Sequence, residues 1–161
     1  MKRAGLFLAV CVALAGCGAK DKTTDGGSAY ANLFDIPVSA TRTPGKLLGL
    51  WSGSKTIRDP NTSRSLVMDV RMKLEIDRIT LVNRCRMDNG RFLTVGATAR
   101  ASVNESTNTV QILETKHDEV TENDYGCAVE LPIRTVVFTV DGHTARAAQG
   151  ADMPELTKVT D

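Results

Sequence analysis

Few side chains in this chain have the types and spacing that acid–base or nucleophilic catalysis requires. Nucleophilic catalysis needs a serine or cysteine beside a histidine that an acidic group orients. The sequence of 161 residues holds two histidines, His117 in a polar stretch and His143 beside a predicted hairpin turn, and neither lies in a recognisable motif. We interpret both as solvated surface residues and predict that the protein is not an enzyme.

An acidic run within residues 114–126 is the next candidate for chemistry, as a calcium site. Calcium loops place oxygen ligands at fixed alternating positions, with a glycine at the sharp turn. The acids of this run lack that spacing; they are Asp118, Glu119, Glu122 and Asp124. No Cys-x-x-Cys or Cys/His spacing indicates zinc. The run is interpreted as a solvated loop, and we predict neither a metal nor another cofactor.

The first sixteen residues have the organisation of a secretory signal. Lys2 and Arg3 give a positive start, and an uninterrupted apolar or small run extends from Ala4 to Ala15. The length of this run matches the hydrophobic core of a signal peptide and falls short of the ~20 residues of a membrane-spanning helix. We therefore predict that residues 1–16 are a signal peptide.

The apolar run ends in Leu14-Ala15-Gly16-Cys17, which resembles the lipobox of bacterial lipoproteins. The resemblance implies that Cys17 receives a diacylglycerol and becomes the first residue after cleavage. Several acyl chains, such as palmitate, supply the multiple anchors that stable membrane attachment requires. By the sorting rule of enteric bacteria, Gly18 rather than Asp at the next position implies the outer membrane, with the protein on its periplasmic side.

Two further cysteines remain once Cys11 leaves with the signal peptide and Cys17 carries lipid. An even pair in an oxidising compartment predicts a disulfide between Cys85 and Cys127, the alternative being two free buried thiols. A bridge over so long a loop contributes ~4 kcal/mol on the chain-entropy model. That is a large share of the ~5–15 kcal/mol that stabilises a whole domain.

The charge balance excludes one class of partner. The chain has 20 Lys and Arg against 19 Asp and Glu. Removal of Lys2 and Arg3 with the signal peptide leaves 18 basic against 19 acidic residues, a net charge of −1. A nucleic-acid-binding protein needs a basic excess to neutralise phosphates, so we predict no nucleic-acid partner.

The remaining chain divides by composition into three parts. Residues 17–44 hold the lipidated cysteine, a polar Gly-rich stretch typical of a flexible tether, and a short apolar segment. That segment, residues 30–38, is apolar enough to dock on the domain and contains one predicted helical turn. Residues 45–149 are predicted to form a β domain, and residues 150–161 a C-terminal tail.

The clearest strand signal is a row of six alternate apolar positions with mostly charged residues between them. Period-2 alternation predicts a strand with one buried and one wet face. The apolar residues then change from even to odd positions, at Ile79 and Leu81. A two-residue hairpin turn at Asp77-Arg78 explains this change. The row is Leu66, Met68, Val70, Met72, Leu74 and Ile76.

Further hairpins are predicted at Asn89-Gly90 and Asp141-Gly142. The predicted total is seven or eight antiparallel strands, the last at residues 143–148, joined by short turns. Sequential hairpins in a chain too short for two full sheets favour a small up-and-down β-barrel, and closure also removes exposed edges. The alternative is a small β-sandwich.

Gly49-Leu50-Trp51 begins the first predicted strand, just after the apolar segment 30–38. This arrangement resembles the opening of lipocalins and of bacterial lipocalin-like lipoproteins. The resemblance implies that a helical turn in residues 30–38 closes one end of an eight-stranded barrel and that Trp51 plugs that end. It also implies an arginine from near the C-terminus above the indole, for which Arg146 is the candidate.

Two functions from different classes follow. The first is a lipid-anchored barrel that binds a small apolar or amphipathic ligand in its open end. The second is a protein-interaction or inhibitor module of the cell envelope with a solid core; Ser52-Gly53-Ser54-Lys55 distantly resembles the Ser-Gly-rich loop of periplasmic lysozyme inhibitors. The side chains of the row 66–76 are large, whereas the inward row 93–103 is rich in alanine. Large side chains opposite small ones fill the interior of a tapering barrel. We therefore expect a mostly packed interior with a shallow mouth.

Overall fold

Eight antiparallel strands follow one another around a closed barrel in the computed structural model, which describes residues 30–58, 63–87, 89–116, 127–148 and 151–161. Each strand pairs with the next, and the last strand pairs with the first. The predicted up-and-down barrel is confirmed, and the β-sandwich alternative is wrong. The elements are a 3-10 turn (Ala31–Phe34), β1 (Gly49–Arg58), β2 (Ser65–Glu75), β3 (Arg78–Arg86), β4 (Phe92–Asn104), β5 (Thr109–Lys116), β6 (Thr135–Asp141), β7 (Thr144–Ala147) and β8 (Leu156–Thr160).

Strand β2 carries the alternation that the sequence shows, from Leu66 to Leu74, but the turn after it lies one residue earlier than predicted. Glu75 pairs with Arg78, so the turn residues are Ile76 and Asp77 rather than Asp77 and Arg78. Ile76 is consequently exposed instead of inward. This register places opposite charges across the last ladder position and still brings Leu74 beside Ile79 on the inner face.

Strand β8 lies within the residues predicted as a tail, so the domain does not end at residue 149. The prediction was wrong because the alternation of β8 is interrupted by a lysine, Lys158, at a fully buried position. Two glycines on β1 allow the backbone of this strand to lie close beside β1. A Cβ at Gly49 would collide with the carbonyl oxygen of Thr160, and a Cβ at Gly53 would lie 2.6 Å from the carbonyl oxygen of Glu155. Gly49 also has a φ of 119°, which other residues rarely adopt.

The apolar N-terminal segment packs against the outside of the barrel wall instead of closing an end. The Tyr30 ring occupies the space that a side chain at Gly96 would need. The Phe34 ring centroid lies 4.1 Å from the guanidinium carbon of Arg84, which also stacks on Phe92 at 4.7 Å. Val82 faces outward on β3 and is nevertheless fully buried, as a covered outer face requires. The predicted end closure by residues 30–38 is therefore wrong.

Candidate functional site

Trp51 is fully buried at one end of the barrel interior. Its indole N–H donates to the carbonyl oxygen of Leu47 at 2.7 Å, so the polar edge of the ring is satisfied. The cation above the ring is the ammonium of Lys158, 5.6 Å from the ring centroid. Lys158 stands opposite Trp51 in the ladder that joins β1 to β8.

Arg146 does not reach Trp51, so its predicted role is wrong. Its side chain is 72% exposed on the outer face of β7, where it pairs with Glu155. The physical reason is the position of the seam. The barrel closes between β1 and β8, and β8 begins beyond the last strand that the sequence predicted.

The buried charge of Lys158 is fully compensated. Its ammonium donates to the carbonyl oxygens of Thr43 at 3.2 Å and Lys46 at 3.0 Å, and pairs with the Asp161 carboxylate at 2.7 Å. An ammonium has three donors, and all three are used. The hydrogen bond from Lys158, followed by those from Thr43, lowers the pKa of Asp161 to about 2.

Residues 43–48 cross this end of the barrel and seal it. The Glu105 carboxylate, in the turn after β4, accepts the backbone N–H groups of Leu47 at 2.9 Å and Leu48 at 2.6 Å. The N–H of Gly45 donates to the carbonyl oxygen of Gly142, in the turn after β6. These hydrogen bonds fix the crossing segment on the barrel, and we interpret the arrangement as structural.

The opposite end, which we call the open end, contains a cavity of about 330 Å³. Its inner wall comes from three adjacent strands and is mostly apolar, and the other walls come from residues within 128–134 and 151–154. Beneath it the barrel interior is filled by buried side chains such as Met72, Ala97 and Ala99. The apolar wall side chains on the strands are Ile57 on β1, Met68 and Val70 on β2, and Leu81 on β3.

A disulfide fixes one wall of this cavity. Cys85 on β3 is bonded to Cys127, 42 residues later, with their Cα atoms 6.1 Å apart, and the predicted pairing is confirmed. Beyond the bridge, Val129 and Leu131 are buried, and the side-chain amide of Asn83 donates to the carbonyl oxygen of Ala128. The segment alternates inward and outward as predicted but joins no strand ladder.

One charged side chain, Lys55, points from β1 into the open end. Its side chain is 19% exposed, and its ammonium lies 2.6 Å from the Asp152 carboxylate and 3.0 Å from the Asp152 carbonyl oxygen. Glu130 and Arg134 stand at the rim. The sequence reasoning missed Lys55 as a site residue. The available signal was its position in the inward phase of β1, four residues after Trp51.

Several predicted residues contribute nothing to this site. His143 is partly buried at the turn between β6 and β7, at the closed end. His117 and the acidic run fall outside the described residues, as do Cys17 and Gly18. Within the described ranges, no three His, Cys, Asp or Glu side chains are grouped to hold a metal ion. No helix in that same part of the chain is long and apolar enough to cross a membrane.

The open end suits the binding of a small molecule. Binding sites are concave and largely apolar, with a few placed polar groups that orient the ligand. This cavity has apolar side chains on its strand wall, together with the polar side chains of Lys55, Asn83, Glu130, Arg134 and Asp152. Comparisons of the chain with protein-family models, with curated proteins and with solved structures find no match. The candidate function therefore depends on the geometry of the open end.

Proposed function

We propose that this protein is a lipid-anchored, lipocalin-like lipoprotein of the cell envelope whose barrel binds a small apolar or amphipathic ligand in its open end. The observation that carries the proposal is the cavity of about 330 Å³ with a mostly apolar strand wall. Its volume lies near the lower end of the ~300–1,000 Å³ of ligand pockets. The ligand is accordingly small.

The construction of the cavity supports a binding role. Its inner wall belongs to β1, β2 and β3, which pair along nearly their whole lengths, so that wall is rigid. Met68 and Met153 also line the cavity, and methionine adapts its shape to irregular ligands. A rigid wall with adaptable side chains favours a family of related apolar molecules over one shape.

The membrane anchor in this proposal is the lipid on Cys17, with Gly18 directing the protein to the outer membrane. Replacing Cys17 with Ala should abolish the incorporation of labelled palmitate, because only a thiol takes up the diacylglycerol. Cys11→Ala is the matched control and should label normally, since that cysteine leaves with the signal peptide. Normal labelling of the Cys17→Ala variant would end the lipoprotein assignment.

A fluorescence titration with N-phenyl-1-naphthylamine tests ligand binding by the cavity. The native protein should bind this apolar probe saturably with one site per chain. Met68→Trp should abolish that binding, because the larger side chain fills the cavity. Val67→Trp adds the same indole to the outer face of the same strand, where Val67 is exposed, and should bind like the native protein. Unchanged binding by a folded Met68→Trp variant would refute the proposal.

A protein-interaction module is the second candidate, and one surface observation favours it. Leu113, Ile133 and Val137 are exposed apolar side chains on or beside the outer faces of β5 and β6. The N–H of Ile112 donates to the carbonyl oxygen of Arg134, which places Leu113 and Ile133 next to each other. Loss of an envelope partner on replacing Ile133 with Ser, with probe binding intact, would support this function instead.

A further inference from the structure

Lys55 occupies a position where a barrel usually carries an apolar side chain. It lies between Gly53 and Ile57 in the inward row of β1 and stands opposite Met68 in the ladder with β2. Inward positions of small barrels are normally filled by side chains that pack against one another. The sequence instead places an ammonium group among apolar neighbours, at the level where the cavity meets solvent.

The partner of this ammonium is poorly suited to hold it permanently. Burial of a charge is unfavourable unless the charge is paired, and the Lys55 side chain is only 19% exposed. The side chain of its partner, Asp152, is 94% exposed. An ion pair with a solvated carboxylate contributes little to stability. Another anion that enters the cavity can therefore replace Asp152 without a large loss.

Given the proposed function, on which this step rests, we infer that the cavity selects amphiphiles with a carboxylate or phosphate head group. The head group pairs with the Lys55 ammonium, and the tail lies against the wall formed by Ile57, Val70 and Leu81. If each heavy atom takes roughly the ~30 Å³ of a water molecule, the cavity accommodates about ten such atoms. A ligand the size of octanoate fits this estimate.

The charges at the rim do not oppose this choice of head group, and Asp152 is the carboxylate that the head group replaces. Glu130 and Arg134 carry opposite charges at the rim, and both are exposed, so together they favour neither sign. Lys55 is the more buried of the two cations that line the cavity. A cationic head group would be repelled by Lys55, and a neutral one would forgo a charge-assisted hydrogen bond.

Calorimetric titrations with octanoate, octyl phosphate, 1-octanol and octyltrimethylammonium test the inference. The native protein should bind the two anions at least about tenfold more tightly than octanol, since a hydrogen bond to a charged group is worth about that factor. Lys55→Met should weaken octanoate binding to the level of octanol and leave octanol binding unchanged. Asp152→Asn should tighten octanoate binding, because the competing carboxylate is gone.

The matched control is the Lys73–Glu75 pair on the outer face of β2, whose charged atoms are 2.8 Å apart. Lys73→Met should bind all four amphiphiles like the native protein. Equal octanoate binding by native and Lys55→Met protein would overturn the inference, even with a lowered melting temperature, because Lys55 would then only fasten residues 151–154. Octanol bound as tightly as octanoate would also overturn it and leave the proposed function standing. Failure to bind any of the four would overturn both.

Discussion

The two ends of the barrel are closed by different means. At the closed end, Trp51 fills the interior, and the Lys158 ammonium and the Glu105 carboxylate satisfy backbone groups of the crossing segment. At the open end, the wall segment 127–131 is held by a covalent bond to β3, by a side-chain hydrogen bond from Asn83 and by the buried side chains of Val129 and Leu131. The closed end is solid, and the open end retains a cavity of about 330 Å³.

The difference shows how a small barrel can keep unfilled space in its interior. A segment that is held by packing must fill the volume beneath it, because unfilled volume costs stability. A segment that is held by a disulfide stays in place with fewer contacts, because the bridge limits the freedom of the unfolded chain. The covalent bond therefore lies at the end that retains a cavity.

The largest expected effect concerns the closed end. Trp51→Ala should lower the free energy of unfolding by ~3–5 kcal/mol, because it removes the largest buried side chain and leaves a void. Urea denaturation measures this loss. Val67→Ala, at an exposed position on β2, is the control and should change stability by less than about 0.5 kcal/mol. A loss below ~1 kcal/mol for Trp51→Ala would show that the packing of Trp51 does not stabilise the closed end.

Removal of the disulfide is the corresponding change at the open end. Replacing Cys85 and Cys127 together with alanine should lower the free energy of unfolding by ~2–4 kcal/mol and weaken probe binding, because one wall of the cavity is released. The emission of Trp51 should stay at short wavelength, since the closed end is intact. Two free thiols in the native, oxidised protein would contradict the pairing.

Substitutions of Lys158 and Arg146 compare the loss of a buried cation with the loss of an exposed one. Lys158→Met should lower the free energy of unfolding by ~1–3 kcal/mol, because the carbonyl groups of Thr43 and Lys46 lose their hydrogen-bond donor. Arg146→Met should cost less than ~0.5 kcal/mol, since its pair with Glu155 is exposed. Thermal unfolding of both variants, compared with the native protein, measures the difference. Equal melting temperatures for the two variants would refute the role given to Lys158.

The smallest effect is a pH dependence at the closed end. The hydrogen bond from Lys158 lowers the pKa of Asp161 to about 2 in the folded protein, from an ordinary value of 3.8. A depressed carboxyl pKa stabilises the fold above the unfolded pKa, and this contribution is lost as the pH falls through the folded pKa. The melting temperature of the native protein should therefore exceed that of Asp161→Asn by a constant difference at all pH values above about 5. This difference should shrink as the pH falls from about 4 to 2. A difference that does not change with pH would contradict this coupling.

The barrel was predictable where one physical rule decides the structure. The alternation from Leu66 to Leu74 allows only a strand with one buried face. Once Cys11 and Cys17 are assigned to the predicted signal peptide and lipid anchor, the two cysteines that remain allow only one pair. The disulfide and the barrel were therefore predicted correctly. The turn at Ile76 was misplaced because neighbouring registers produce the same change of phase, and the structure adopts the register in which Glu75 is opposite Arg78.

The features that the sequence did not reveal depend on residues far apart in the chain. Lys158 reads as a surface lysine until Trp51, Thr43 and Asp161 surround it. The docking of Tyr30 on the outer wall depends on the missing side chain of Gly96. The sequence shows Lys55 as a charged residue in an inward row, but only the cavity beside it identifies Lys55 as a site residue.

The seam between β1 and β8 has a consequence for the order of folding. The first four strands pair with their neighbours through short turns, and such local contacts form early. Pairing of Trp51 with Lys158 joins residues more than a hundred positions apart, and closing so large a loop is slow. The sheet can close into a barrel only when the last strand pairs with the first, and Gly49 and Gly53 leave room for that strand at the first edge. We therefore expect sealing of the interior to follow the formation of the hairpins.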